Sequence, residues 1–226
     1  MLLISASDAW KAAHPGAMIG LLEVSNVVNA CDSKLLDDLK KKIEEGLRAR
    51  YKNYTRSDLI ALPVMAAYVR YYKRFQKTYH VLLQLESIVH KGKSLPSVSP
   101  LVDANFSAEL ETLVLTAGHD ASSLAEPIMM DVSRKDERMV VANGTEKSIQ
   151  TGDMVMRDAH GVRCAILYGQ DKSSLISPAS THVLYVSYAP PGVPVHNVEE
   201  QLNAILSTIK MFSPHARVNQ QRIIQA

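Results

Sequence analysis

Apolar and polar positions follow a helical period in the first half of the chain and a strand period in most of the second. Between residues 34 and 93 the apolar positions fall on helical stripes, whereas later they form short runs between turns. The order of mostly helices and then mostly strands predicts an α+β fold. The clearest helices are predicted at Lys34–Tyr51, Thr55–Phe75, Tyr79–His90 and Val198–Met211, and the clearest strands at Glu126–Val132 and His182–Ala189.

Weaker patterns mark the remaining elements. Ser5 and Asp8 have the spacing of a capping box that opens a brief helix, and Asp32 or Ser33 is expected to cap the next one. Pro63 either lies in the first turns of its helix or kinks it. We further predict strands at Leu2–Ile4 and Ala17–Val28, mainly helix at Leu101–Leu115, and a polar turn at Ala117–Asp120.

The stretch from Val140 to Asp171 is predicted to form a small antiparallel β-meander. Its apolar runs alternate with polar turns that contain glycine, where a positive φ is needed. It ends in Gly169-Gln170-Asp171, a glycine and a carboxylate after the most apolar run. Because loops at strand ends commonly carry binding groups, we expect part of a site here.

Length and composition indicate one sizeable domain or a compact core with an extension. The chain has 226 residues, 46% of them hydrophobic and 21% charged, which is ordinary for a soluble globular protein. We expect a strand and helical extension at 1–94 packed on a β-rich core at 95–212, followed by a partly ordered tail at 213–226. The sheets are expected to be layered, antiparallel or mixed, with flanking helices.

Nothing in the sequence predicts export, a membrane span or a metal site. The apolar runs are shorter than a span requires, and the N-terminus has no basic region of a signal peptide. Cys31 and Cys164 are far apart and match no metal spacing, so reduced, partly buried thiols in a cytoplasmic protein are expected. We also expect no cofactor.

Charge is distributed unevenly along the chain. Residues 34–93 contain 14 Lys and Arg against 6 Asp and Glu, although the net charge of the whole chain is only +2. A basic helical half is compatible with RNA as a partner, although the charges alone favour solvated helix faces. Its tyrosines either stack on bases or form a packing face with the basic residues outward. The mixed tract comprises Tyr68, Tyr71 and Tyr72 with the candidate RNA-binding residues Arg70, Lys73, Arg74 and Lys77.

Candidate chemistry is confined to a few polar positions, since no familiar hydrolase, zinc or nucleotide-binding motif is present. His119 is placed to orient a water or contact a carbonyl, or is simply a turn histidine. Asp171 either binds an ammonium or hydroxyl group or caps a turn. Asp103 and Asn105 either bind a substrate or cap a helix. The sequence Asn143-Gly144-Thr145 is either a hairpin turn or a pocket wall.

Three segments together resemble the B3/B4 domain of the phenylalanyl-tRNA synthetase β subunit, the module that edits mischarged tRNA. The first is SPLVDANFSAELETLVLTAGHD, which is similar to a Val-Val-Asp and Thr-Asn stretch that opens a helix and ends near a histidine. The second is VVANGTEKSIQTGDMVMRD, and the third is VRCAILYGQDKSSLISPASTHVLYVSYA. The resemblance spans about Leu95 to Ala189, and it implies a free-standing module without ligase activity.

The resemblance implies roles for particular residues. His119 matches the histidine of the editing pocket, and Asp171 the glutamate that recognises the tyrosine hydroxyl of a mischarged substrate. Gly169 matches the adjacent glycine, and Gly144 and Thr145 the neighbouring hairpin. Two positions depart from the pattern. Asp171 is one methylene shorter than glutamate. Tyr188, a candidate substrate-binding residue, stands where the synthetase has alanine, and it either fills the pocket or points away from it.

Three functions follow as hypotheses. The first is a trans-acting deacylase of mischarged tRNA, in which a positioned water attacks the ester. The second is a non-catalytic RNA-binding module, and the third is a protein that binds an amino acid without RNA. The expected partners are therefore tRNA and an amino acid or aminoacyl ester. The sequence leaves the amino acid, the tRNA and the oligomeric state open.

Overall fold

A computed structural model describes residues 1–29 and 34–226, and it has an α+β architecture. Cys31 and the candidate caps Asp32 and Ser33 lie outside the described residues. The α-helices are α1 Asp8–Ala13, α2 Lys34–Tyr51, α3 Arg56–Ala61, α4 Pro63–Lys73, α5 His80–Lys91, α6 Pro100–Thr112 and α7 Val195–Phe212. The strands are β1 Ile4–Ala6, β2 Met18–Ser25, β3 Thr116–Asp120, β4 Ile128–Val132, β5 Arg138–Val140, β6 Glu146–Ser148, β7 Met154–Asp158, β8 Gly161–Ala165, β9 Gly169–Gln170, β10 His182–Ala189 and β11 Arg217–Gln225.

Local chemistry accounts for the helix boundaries. Thr55 and Asp58 form a capping box at the start of α3. Pro63 is the first residue of α4, where its missing N–H costs nothing, so the predicted long helix is two helices that meet at Leu62. The cap of α1 is Ser7, whose side chain accepts from the Trp10 N–H; the prediction of Ser5 was wrong.

Two main sheets carry the core. One has the order β1-β4-β7-β8-β9, and the other has the order β11-β2-β10-β3. The predicted meander does not form one sheet, because β5 and β6 pair only with each other while β7 pairs with β4. The four-stranded sheet joins β2, β10 and the C-terminal β11, so the tail after α7 is an ordered strand.

The four-stranded sheet is covered on both faces. Helices α6 and α7 pack on one face, where Leu22, Val183 and Tyr185 meet Leu202 and Ile205. The other face joins a larger core that includes the five-stranded sheet, the tyrosines of α4 and Tyr79, which precedes α5. Among the described residues no helix is long and apolar enough to cross a membrane.

The tyrosines of α4 form a packing face. Tyr68, Tyr71 and Tyr72 are each at most 2% exposed, so they cannot stack on bases in this conformation. The Tyr68 ring stacks on Tyr79 with centroids 4.2 Å apart, and its hydroxyl donates to the Tyr188 carbonyl at 2.7 Å. The phenolic groups therefore tie the helical part to both sheets, with the basic residues of the tract outside.

Candidate functional site

A cavity of about 180 Å³ lies between α6, the outer edge of β3 and the β8–β9 hairpin. Its wall is mostly apolar, with a small set of polar side chains, as is usual for a small-molecule site. The apolar lining includes Val102, Phe106, Leu115, Ile166 and Ile176, and the polar lining includes Asn105, Glu109, Thr116, Gln170 and Tyr188.

Two side chains of α6 hold the edge of β3 at a single residue. Asn105 and Glu109 are one turn apart on the helix, so both face the same strand. The Asn105 amide donates to the Thr116 carbonyl at 3.3 Å, and Glu109 Oε2 accepts from the Thr116 N–H at 3.0 Å. This arrangement fixes both side chains at the cavity wall.

Several polar atoms of the cavity wall lack a partner. Asn105 Oδ1 is buried without a hydrogen bond, and Glu109 Oε1 has none within the described part of the chain. Among the residues that the structure describes, the buried Tyr188 hydroxyl has only the Cys164 thiol as a hydrogen-bond partner, and a thiol is a weak one. Since buried polar groups are normally satisfied, these atoms indicate a site for a ligand or for water.

Burial governs the ionisation of Glu109. The side chain is 2% exposed, and burial raises its pKa to about 8, although the Thr116 N–H offsets part of the effect. A carboxyl group that titrates near neutral pH inside a cavity is a functional-site signature.

His119, Ser174 and Asp171 form a hydrogen-bonded chain next to this cavity. The Ser174 hydroxyl donates to Asp171 Oδ1, so its oxygen is left to accept from His119 Nδ1 at 2.7 Å. His119 therefore carries its proton on Nδ1, and the lone pair of Nε2 has no hydrogen-bond partner among the described residues. Burial lowers the pKa of His119 to about 4, which keeps the ring neutral at physiological pH.

His119 lies on strand β3, so the prediction of a polar turn at Ala117–Asp120 was wrong. The strand forms because β10 pairs with it, and Leu184 lies opposite His119. The imidazole is fully buried and does not line the cavity, although its neighbours Ala117 and Gly118 do. A side chain at position 118 would lie 2.8 Å from Ile176, which explains the glycine.

The Asp171 carboxylate accepts hydrogen bonds from several neighbouring residues. It caps the short 3-10 helix Lys172–Ser174, and its Oδ2 accepts from Arg163 at 3.0 Å. Burial opposes its ionisation, but hydrogen bonds from Ser173 and Ser174 hold its pKa below the usual value. The carboxylate borders an open surface groove that Gly161 and Val162 of β8 also line, and it is not part of the cavity lining.

The remaining predicted substrate-binding residues are dispersed. Asn105, Gly169 and Tyr188 line the cavity. Asp103 does not, because its carboxylate binds Lys40 and the Val98 N–H near the start of α6. Asn143, Gly144 and Thr145 form the exposed turn between β5 and β6, with Gly144 at φ 82°, as the hairpin alternative predicts.

The four candidate RNA-binding residues lie at the C-terminal end of α4 and just beyond it. Arg70, Lys73 and Arg74 are exposed, and the Arg74 guanidinium lies 5.5 Å from the centre of the Tyr71 ring. Lys77 Nζ lies 4.4 Å from the centre of the Tyr168 ring. Tyr168 directly precedes Gly169 and Gln170 of the cavity wall, so Lys77 lies beside the cavity rim.

Sequence reasoning missed Glu109 and Ser174. Glu109 shares a helical stripe with Val102, Asn105 and Leu113, and a carboxylate on such a face is an available signal. Ser174 gave no signal, since a serine in a polar loop is unremarkable until the fold places His119 beside it.

Comparison with known proteins identifies the domain type. The family model of the B3/4 domain matches residues 64–213. No curated protein matches the sequence. Among solved structures, an N-terminal fragment of the phenylalanyl-tRNA synthetase β subunit from Pyrococcus horikoshii is similar at 9% identity and a TM-score of 0.49. The alignment covers 100% of this chain and 55% of that fragment.

Proposed function

The chain belongs to the B3/4 domain family, and on that premise we propose that it binds the aminoacyl end of tRNA with the amino acid in the cavity. The observation that carries the proposal is the continuity between the cavity rim and the cations after α4. Tyr168 connects the two, because its ring contacts Lys77 and its chain neighbours line the cavity. Exposed Lys73 and Arg74 then supply contacts for the RNA backbone.

Cavity size supports an amino acid as the bound group. A cavity of about 150 Å³ lined by apolar side chains accepts benzene. The volume of about 180 Å³ found here thus suits one side chain of moderate size. The RNA itself would remain on the outer surface.

Replacing Lys73 with glutamine tests the RNA surface. We expect weaker binding of tRNA, and a slope of log K against log salt that is reduced by about one, because one phosphate contact is lost. Fluorescence anisotropy with labelled tRNA at several salt concentrations measures both quantities. Lys11→Gln is the matched control, since Lys11 is an exposed lysine on α1 that pairs with Asp8. Equal effects of the two variants, or binding that is insensitive to salt, would count against this surface.

Ester hydrolysis is the second candidate function, and the His119–Ser174–Asp171 chain is the observation that favours it. Nε2 would take a proton from water as the water oxygen attacks the ester carbonyl. The proton would then pass to the departing ribose oxygen, which yields a free amino acid and tRNA. Because Nε2 is buried, the segment around Leu175, which pairs with His119, must move before a substrate can reach it.

A panel of tRNAs, each charged with a different amino acid, tests hydrolysis directly. We expect the purified protein to accelerate deacylation of at least one of them. Ser174→Ala should slow that reaction by about 100-fold or more while tRNA binding is unchanged, because His119 loses the partner that fixes its proton. Ser148→Ala is the control, since Ser148 is an exposed serine of β6. No turnover above the spontaneous rate on any tRNA would leave binding as the function.

A further inference from the structure

The strongest unassigned feature is the group of acceptors that α6 presents to the cavity. Asn105 is anchored at Thr116 through its amide nitrogen, and Glu109 through Oε2. The remaining side-chain oxygens, Asn105 Oδ1 and Glu109 Oε1, have no partner within the described residues. The orientation of the Asn105 amide is fixed, because the Thr116 carbonyl requires the NH₂ group. Asn105 Oδ1 is therefore a hydrogen-bond acceptor without a donor among the described residues.

No protein cation neutralises Glu109. Its ion-pair and hydrogen-bond contacts within the described residues contain no Lys or Arg, and the cavity wall has none either. By contrast, Asp103 on the same helix has Lys40 as its buried partner. A buried carboxylate without a counter-charge is costly unless a bound group supplies one.

We propose that Glu109 and Asn105 bind the protonated primary amine of the ligand, with Tyr188 as a further acceptor in the same cavity. An ammonium group has three N–H donors and no acceptor, which matches Glu109 Oε1, Asn105 Oδ1 and the Tyr188 oxygen. The apolar wall, which includes Phe106, Leu115 and Ile166, would then hold an apolar side chain. The ligand class is thus an α-amino acid derivative with an apolar side chain.

The ionisation of the cavity is consistent with this assignment. Without ligand, burial holds the pKa of Glu109 at about 8, so the group is largely protonated at pH 7. The other titratable groups that face the region are tyrosines 68, 72, 79 and 188, together with His80 and Cys164. The tyrosine and cysteine groups stay neutral at pH 7 because burial raises the pKa of each. Binding of an ammonium should therefore release up to one proton.

Calorimetry with paired probes tests the proposal. The probes are L-alaninamide, L-leucinamide and L-phenylalaninamide, each paired with the amide in which a hydroxyl replaces the amine. We expect at least one amine to bind. Its hydroxy partner should bind at least about tenfold more weakly, because a charge-assisted hydrogen bond is lost. Titration at pH 7 in two buffers of different ionisation enthalpy should show the proton release.

Glu109→Gln provides the variant, and Glu111→Gln provides the matched control on the exposed side of the same helix. Amine binding should fall at least about tenfold in Glu109→Gln and stay unchanged in Glu111→Gln. Thermal unfolding of each variant shows whether a loss of binding reflects a loss of folding. The proposal is overturned if no amine binds the wild-type protein, if the hydroxy amides bind equally well, or if Glu109→Gln binds as the wild type does.

The role of Glu109 rests on the proposed function, but the experiments distinguish a failure of one from a failure of the other. Binding of tRNA by the wild-type protein, with amine binding unaffected by Glu109→Gln, overturns the role of Glu109 alone. Binding of amides that depends on Glu109, without any binding of tRNA, overturns the proposed function alone and supports an amino-acid-binding protein.

Discussion

Replacing Lys40 with methionine is expected to lower the free energy of unfolding by about 3–5 kcal/mol. Lys40 Nζ lies 2.8 Å from Asp103 Oδ2, and each side chain of the pair is 6% exposed. Methionine fills a similar volume, so the loss reflects the buried Asp103 carboxylate that remains without its counter-charge. Urea unfolding monitored by circular dichroism measures the change.

Two comparisons separate the ion pair from its surroundings. Lys41→Met changes an exposed neighbour on the same helix and should alter stability by less than about 0.5 kcal/mol. The double variant Lys40→Met with Asp103→Asn should recover part of the loss, since no buried charge remains. If Lys40→Met alone costs less than 1 kcal/mol, roughly the value of an exposed pair, the pair does not anchor α2 to α6.

The second expected result is a pH-dependent gain of stability in Glu109→Gln. The folded state holds the pKa of Glu109 at about 8, above the ordinary value of 4.5, so it binds a proton that the unfolded chain releases. As pH rises from 4.5 to 8, the wild-type protein loses up to about 1.4 kcal/mol per pH unit from this group. Glutamine cannot ionise, so the variant should gain relative to the wild type across that window.

Urea unfolding at pH 5, 7 and 9 tests this result. The advantage of Glu109→Gln should grow from pH 5 to pH 9, while Glu111→Gln should show only a smaller trend of the same sign, because burial also raises the pKa of the more exposed Glu111. His80 and the buried tyrosines are present in both proteins, and the tyrosines, whose pKa burial raises, titrate above this pH range. A difference between Glu109→Gln and the wild type that does not change with pH would contradict a buried, ionisable Glu109. A carboxyl group kept at such a cost is typical of a site selected for binding.

The sequence alone determined the elements whose signal is local. The amphipathic stripe of α2, the helix start at Thr55 and the apolar run of β10 depend on neighbours within a few residues. Likewise, the glycines at reversals of the β half mark positions of positive φ, such as Gly144 and Gly169. The family resemblance also came from the order of motifs, and the B3/4 match at residues 64–213 confirms it.

The tertiary structure decided which strands pair and which side chains meet. Strand β3 contains a glycine and a histidine, so its local pattern resembles a turn, and pairing with β10 makes it a strand. Strand β11 is mostly polar because it lies at a sheet edge, and only its pairing with β2 identifies it. These pairings join residues far apart in sequence, which no local period can encode.

The same reason explains the outcome at the candidate site. Asn105 and Tyr188 were predicted because they lie in segments that resemble a family, and the structure places both on the cavity wall. Glu109 and Ser174 belong to the candidate site because the fold places Glu109 beside Thr116 and Ser174 beside His119. Asp103 does not line the cavity, because its carboxylate binds Lys40, which lies 63 positions earlier in the sequence. Sequence thus specified the residue types available for binding, and long-range packing decided which of them face a common space.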